Sequence, residues 1–272
     1  MPRDTTHAAQ AEDADTGTGP RRHAPRSRSV TRVGGVAAME EFDRLVAALP
    51  SSAAAAAPPA GELASVALAV ERVLRRGVDV DDIDGQLDEL AAECGGRTRN
   101  GIVDRLIGSR RLRGDRSTYG DWRNSCVGHV LRTGAGIPIT LSIVVIEVAL
   151  RCGVPLHGVG MPAHFLVGDD DDPDWFLDPF HGRELNRAGC QAALTEVSGG
   201  RIPWRESFLA PASTIDIVTR MSNNLRAAFA EGRDPYRLAL VMRMRTRLAD
   251  ARTGTSASDE EALVRQALAV FN

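Results

Sequence analysis

Several kinds of feature are missing from this sequence, and each absence removes a class of function. The four cysteines, Cys94, Cys126, Cys152 and Cys190, are widely separated and form no CxxC pair. That excludes a zinc site of the usual kind. There is no glycine-rich phosphate loop and no metal-ligand cluster at credible spacing, so neither a cofactor nor a metal is expected. No apolar run reaches the roughly 18 residues that span a bilayer. The first thirty residues, polar and rich in Arg and Asp, hold no signal-peptide core. Excess positive charge is also lacking: the net charge is −3, which argues against nucleic acid or an anionic membrane as the main partner. The expected setting is the cytoplasm, with the thiols free and packed as small buried hydrophobes.

What is present suffices for one generous domain or two small ones. The chain has 272 residues, 43% of them hydrophobic. Residues 1–38 carry almost no large apolar side chains and are expected to be a disordered tail. Residues 39–123 read as a helical region: 39–49, the stretch from Gly61 to Gly77, a third helix from Asp82, and a weaker one over 98–108. RRLRGDRSTYGDW is expected to be loop with solvated charges. Asn124 or Ser125 would cap a short helix through Leu131. A mixed core occupies 124–210, including a short helix over 188–197. Helices over 213–231, 235–249 and 259–271 fill residues 211–272, with Gly232 and Pro235 at the first junction and GTSAS at the second.

Residues 134–180 hold the chemistry. Pro138 suits the first turn of a helix, where a missing N–H costs nothing. Leu141, Val144, Val145, Val148 and Ala149 line one face of that helix, and Ile143 and Ile146 widen it. It should be a buried central helix ended by Gly153 and Pro155. HFLVG and WFLD then flank the turn GDDDDPD, centred near residue 171, so a hairpin places His164 beside Asp178. An imidazole beside a carboxylate is the orienting half of a catalytic triad.

GIPITLS, PAHFLV, LDPF and RMSNNLRAAF, in that order over roughly residues 60–250, resemble the SirB-type transglutaminase-like proteins. These are a branch of the transglutaminase-core superfamily with a tetratricopeptide-like helical tail. The resemblance implies an α+β fold, mostly helical. Its papain-like core is a central helix plus a small antiparallel sheet, set between N-terminal helices and a C-terminal helical hairpin region. In active members a cysteine stands at the tip of the central helix, where the dipole stabilises a thiolate. His164 and Asp178 carry over onto the other two roles. The cysteine position falls two residues after Gly136, on Pro138, which has no nucleophilic atom. Ala163 stands where the branch generally has Gly.

The reading that follows is a thiol-less scaffold. It binds a protein or peptide through a cleft at His164 and Asp178 and through its helical tail, and catalysis is not expected. The alternative is an amide or ester hydrolase or acyl-transferase using Ser142 or Thr140, although both hydroxyls read more naturally as caps for the helix start. Cys152 sits at the wrong end of the helix dipole, Cys126 is expected to pack, and Cys190 lies beyond the Asp strand. Asn124 is expected to cap or cross-link backbone near the cleft. Glu147 needs an ion-pair partner, Arg123 or Arg151, because an unpaired buried carboxylate is costly. His157 and His181 are taken as loop or surface residues, and Asp169 to Asp172 as a solvated turn rather than a calcium loop.

Overall fold

The computed structural model describes residues 28–50 and 58–253; for 28–34 the backbone alone is described. Three helices open the chain: α1 (Arg28–Ala48), α2 (Glu62–Leu74) and α3 (Val80–Glu93). The first begins earlier than expected, since residues 28–38, assigned to the tail, are helical. Met39, Phe42 and Val46 anchor the helix in the core, and once a helix is nucleated each added residue gains a hydrogen bond at little further cost. Asp79 caps α3 by accepting the Asp82 amide at 3.2 Å. A short α4 (Arg99–Val103) runs into a wider turn ending at Gly108.

Next come β1 (Arg113–Gly114), a 3₁₀ turn over Trp122–Ser125, α5 (Val127–Thr133) and β2 (Ala135–Gly136). Neither Asn124 nor Ser125 caps α5, which starts after Cys126. Its Gly128 amide is instead held at 3.0 Å by the Glu71 carboxylate, reaching across from α2.

The central helix α6 (Pro138–Cys152) follows the expected boundaries, with Pro138 in its first turn and Gly153 stopping it at φ 78°. Every residue in it except Leu150 and Arg151 is buried. β3 (Leu156–Val159), β4 (Leu166–Asp169), β5 (Phe176–Asp178), β6 (Arg183–Leu185) and β7 (Pro211–Ala212) form one antiparallel sheet in the order β6-β5-β4-β3-β7. Alternation along the strands divides the core. Leu156, Phe165, Val167 and Leu177 pack with the helices around α6. Val159, Leu166 and Phe176 pack on the other side with Cys190 and Leu194 of α7 (Arg187–Ser198). This is the α+β arrangement with a central helix and a small sheet that the motifs implied.

The chain continues into α8 (Thr214–Glu231), opened by a capping box of Ser213 and Asp216, and α9 (Pro235–Thr253). The two pack as a hairpin. α9 also meets α1 and α2, so the helical tail closes on the N-terminal helices. The expected helix over 259–271 lies outside the described residues.

Two fully buried glutamates tie neighbouring helices together. Glu147 accepts the Gly61 amide at 2.9 Å and the Ala64 amide at 2.7 Å, capping the start of α2 from another helix. Its ion-pair partner is Arg151, one of the two expected. Arg151 also reaches Asp84 at 2.8 Å and Asp88 at 2.9 Å on α3. Glu71, paired with Arg75, plays the same part toward α5. A carboxylate on the positive end of a helix meets orphan amides and the dipole together. α2 and α3 are thereby tied to α6, and α5 to α2.

Candidate functional site

His164 and Asp178 come together, though by a route slightly different from the hairpin expected. The ladder pairs Val167 with Leu177 and Gly168 with Phe176. That register is a step away from a turn centred at 171, and it leaves His164 in the turn before β4 rather than on the strand. His164 reaches Asp178 as a diagonal neighbour, with Nε2 3.0 Å from Oδ2. The approach lies outside hydrogen-bond geometry, so it is a close polar contact rather than an aligned hydrogen bond. Ala163, just before His164, has φ 59°. This left-handed conformation suits glycine better than alanine.

Asp178 is the hub. His181 Nδ1 lies 2.7 Å from the same Oδ2, the His181 amide donates to Oδ1 at 3.1 Å, and Arg183 Nε sits 3.3 Å from Oδ2. Asp178 is wholly buried, and His164 is nearly so. Burial alone would raise the carboxyl; His164, then His181, outweigh it and hold the group at about 2. The site therefore keeps a permanent carboxylate between two imidazoles whose rings are 5.4 Å apart.

His181, expected as a loop or surface residue, does lie in the turn after β5 but is part of the site. The signal was present in DPFH, where a second imidazole follows Asp178 by three residues, the reach of a single turn. His157, also expected in a loop, lies buried on β3 with its ring over Gly168 and Nδ1 2.6 Å from Asp170. The acidic turn is not simply solvated. Asp169 is buried, and Arg99 binds it at 2.8 Å and Asp172 at 3.0 Å while stacking on Trp175. The sequence could not show that partner, which lies 70 residues upstream.

A narrow strap links the helix tip to this hub. β1 pairs with β2 in parallel, Gly114 beside Gly136, and the Asp115 amide donates to the Gly136 carbonyl at 2.9 Å. Gly114 lies so close to Phe180 that a Cβ there would stand 2.5 Å from the Phe180 carbonyl oxygen. Phe180 in turn packs edge-on against His181 and Tyr119. Asn124 donates to the Thr118 carbonyl at 2.7 Å and to Asp115 at 3.2 Å, cross-linking this loop as expected. The loop's charges are more than a solvated surface. Asp115 accepts from the Ser117 and Thr118 amides, and bonds from Thr118 chiefly hold its carboxyl well below the usual carboxylate range against the opposing effect of burial.

Neither of the candidate hydroxyls, Ser142 and Thr140, nor any of the four thiols is poised as a nucleophile. Ser142 Oγ donates to the Pro138 carbonyl at 2.9 Å, bonding one turn back along its own helix instead of capping the start. Thr140 Oγ1 is buried with no hydrogen-bond partner. Neither hydroxyl is bonded to His164. All four cysteines are free and buried. Burial, with a contribution from Asp178, pushes the Cys190 thiol up to about 12. Burial and neighbouring Cys152 take Cys94 to about 11. Burial raises Cys126 and Cys152 as well. A neutral buried thiol is a poor nucleophile.

His164, Asp178 and His181 offer ligand atoms within 4.8 Å of one another, two imidazoles and a carboxylate that suit a transition metal by type. Arg183 opposes such an ion, since its guanidinium already lies against the carboxylate oxygen the metal would take. Among the described residues no helix is long and apolar enough to cross a membrane.

A profile described as the transglutaminase-like superfamily matches residues 65–223, more than half of the chain. A UPF0162 protein of Xylella fastidiosa is 37% identical over 122 residues, covering 43% of each chain. One from Pseudomonas aeruginosa is 29% identical over 162 residues, covering 55% of this chain and 58% of that relative. F-box only protein 21 of Mus musculus is 39% identical over 62 residues, 23% of this chain and 10% of its own. The chain thus spans about half the length of the UPF0162 relatives it matches, and no solved structure gives a significant match. The matched region runs from α2 into α8 and takes in the helix tip, His164 and Asp178: this chain belongs to the transglutaminase-like superfamily.

Proposed function

We propose that this protein is a SirB-type member that binds a protein or peptide segment in the cleft at His164 and Asp178 without cleaving or transferring it. One observation carries the reading. The imidazole–carboxylate couple persists, while the helix start that would carry the nucleophile holds Pro138 and every cysteine is buried. Covalent acyl chemistry needs a nucleophile with an adjacent base, and the buried Thr140 and committed Ser142 do not supply one. A buried couple built on a carboxylate remains useful for binding, because its polar groups reward a ligand that completes their hydrogen bonds. The α8–α9 hairpin, stacked in the manner of tetratricopeptide helix pairs, adds a second surface for the partner. Four free thiols suit a reducing compartment, and the cytoplasm is the proposed place of action.

The test is turnover on a panel of peptide, amide and ester substrates, comparing wild type with His164→Ala. No turnover above background is expected from either. Hydrolysis or transfer by wild type that disappears in the variant would overturn the proposal.

A further inference from the structure

The RMSNNLRAAF stretch has no part in the site as described so far, yet it places an unusual cation beside it. Arg220 lies on α8 and is half-buried. Its guanidinium carbon is 5.6 Å from the centre of the Phe165 ring, next in sequence to His164. One of its terminal nitrogens approaches Gly160 closely enough that a Cβ there would stand 3.7 Å away. Among the described residues it has neither a hydrogen bond nor an ion pair.

Other partly buried arginines behave differently. Arg75 meets Glu71, Arg99 meets Asp169 and Asp172, Arg151 meets Glu147, and Arg237 meets Asp234. Burial works against the Arg220 charge, and among the described residues the one titratable neighbour that offsets it is Tyr119. Burial also raises Tyr119, so its phenol stays neutral and able to donate. Tyr119 is half exposed and packs edge-on against Phe180, which in turn touches His181. The guanidinium thus borders the His164 segment through Phe165, with the Tyr119 phenol within electrostatic reach. A desolvated cation without a partner is a cost that an incoming anion relieves, and the planar fork of arginine matches a carboxylate with two parallel hydrogen bonds.

We infer that Arg220, with Tyr119 beside it, holds a carboxylate of the peptide bound along His164. The carboxylate belongs either to an Asp or Glu side chain or to a chain terminus. This assignment rests on the cleft-binding function proposed above and narrows it to carboxylate-bearing segments.

The test uses the full chain and three short probes. They are acetyl-Ala-Glu-Ala-amide, acetyl-Ala-Ala-Ala with a free terminal carboxylate, and the neutral acetyl-Ala-Gln-Ala-amide. Nitrogen–proton NMR follows the Arg220 Nε–H signal, assigned by its loss in Arg220→Lys, and the backbone amides of Gly160, His164 and Phe165. At least one carboxylate probe is expected to move Arg220, and the probe that binds tells a side-chain acid from a chain end. Its affinity, read from the backbone amides, should fall at least tenfold in Arg220→Gln and less in Arg220→Lys, which keeps the charge but loses the fork. The neutral probe should leave Arg220 unmoved.

If Arg220 merely packs on Phe165, the substitutions lower thermal stability and leave the affinities equal, and the inference fails. Perturbation of His164 by all three probes alike, with Arg220 silent, would sink the inference while sparing the cleft. Silence of every amide with every probe at millimolar concentration contradicts both.

Discussion

Replacing Asp178 by Asn removes the charge that joins the two imidazoles, and the effect should depend on pH in a calculable way. The carboxyl ordinarily titrates at 3.8 and is held at about 2 in the fold. A group lowered on folding stabilises the native state above its unfolded value, and that stability is lost as pH falls through the folded value. At about 1.36 kcal/mol per pKa unit the full contribution is about 2.4 kcal/mol. Linkage then gives about 2.4 kcal/mol near pH 5, about 1.3 at pH 3 and about 0.4 at pH 2. Urea titrations of wild type and Asp178→Asn from pH 5 down to pH 2 would measure it. Several other carboxyls also titrate there, so the informative quantity is the difference between the two proteins, in which they cancel. Neutral hydrogen bonds gained or lost by the amide add an offset without pH dependence. The difference should shrink by about 2 kcal/mol across the window. If it stays constant from pH 5 to pH 2, the charge contacts between Asp178 and its histidines are not those described.

Two further substitutions probe how the site is held. Glu147→Ala strips two amides of their acceptor and leaves Arg151 without its buried partner. A loss of about 3–5 kcal/mol in urea unfolding is expected, and a loss below about 1 kcal/mol would show that the cap on α2 contributes little. Ala163→Gly relieves a left-handed conformation at φ 59° and should raise stability by up to about 1 kcal/mol, net of the extra entropy of the unfolded glycine. Thermal unfolding checks its sign.

The central helix was legible because local signals agreed: Pro138 at its start, Gly153 at its stop and an almost unbroken apolar surface between. The His164–Asp178 pairing was legible from strand spacing and motif. The register was off because the turn took up its residues unevenly and left His164 outside the ladder. What escaped was long-range. Glu71 and Glu147 cap helices far from them in sequence, and Arg99 neutralises an acidic turn 70 residues away. Tertiary partners of this kind leave no periodicity to read. The hydroxyls of PITLS were misplaced for a related reason, since within a formed helix Ser142 reaches back to the Pro138 carbonyl rather than forward to free amides. His181 could have been found by asking what a tight turn after Asp178 brings back to it.

The account stands or falls on whether the α6 tip faces the His164–Asp178 couple, and Pro138→Cys measures that directly through the pH dependence of alkylation by iodoacetamide. A thiol at a helix N-terminus opposite an imidazole should alkylate with an inflection well below the ordinary value of about 8.5, at roughly 7 or lower, and adding His164→Ala should move the inflection back up. An inflection at or above about 8.5, unchanged by His164→Ala, would contradict the account.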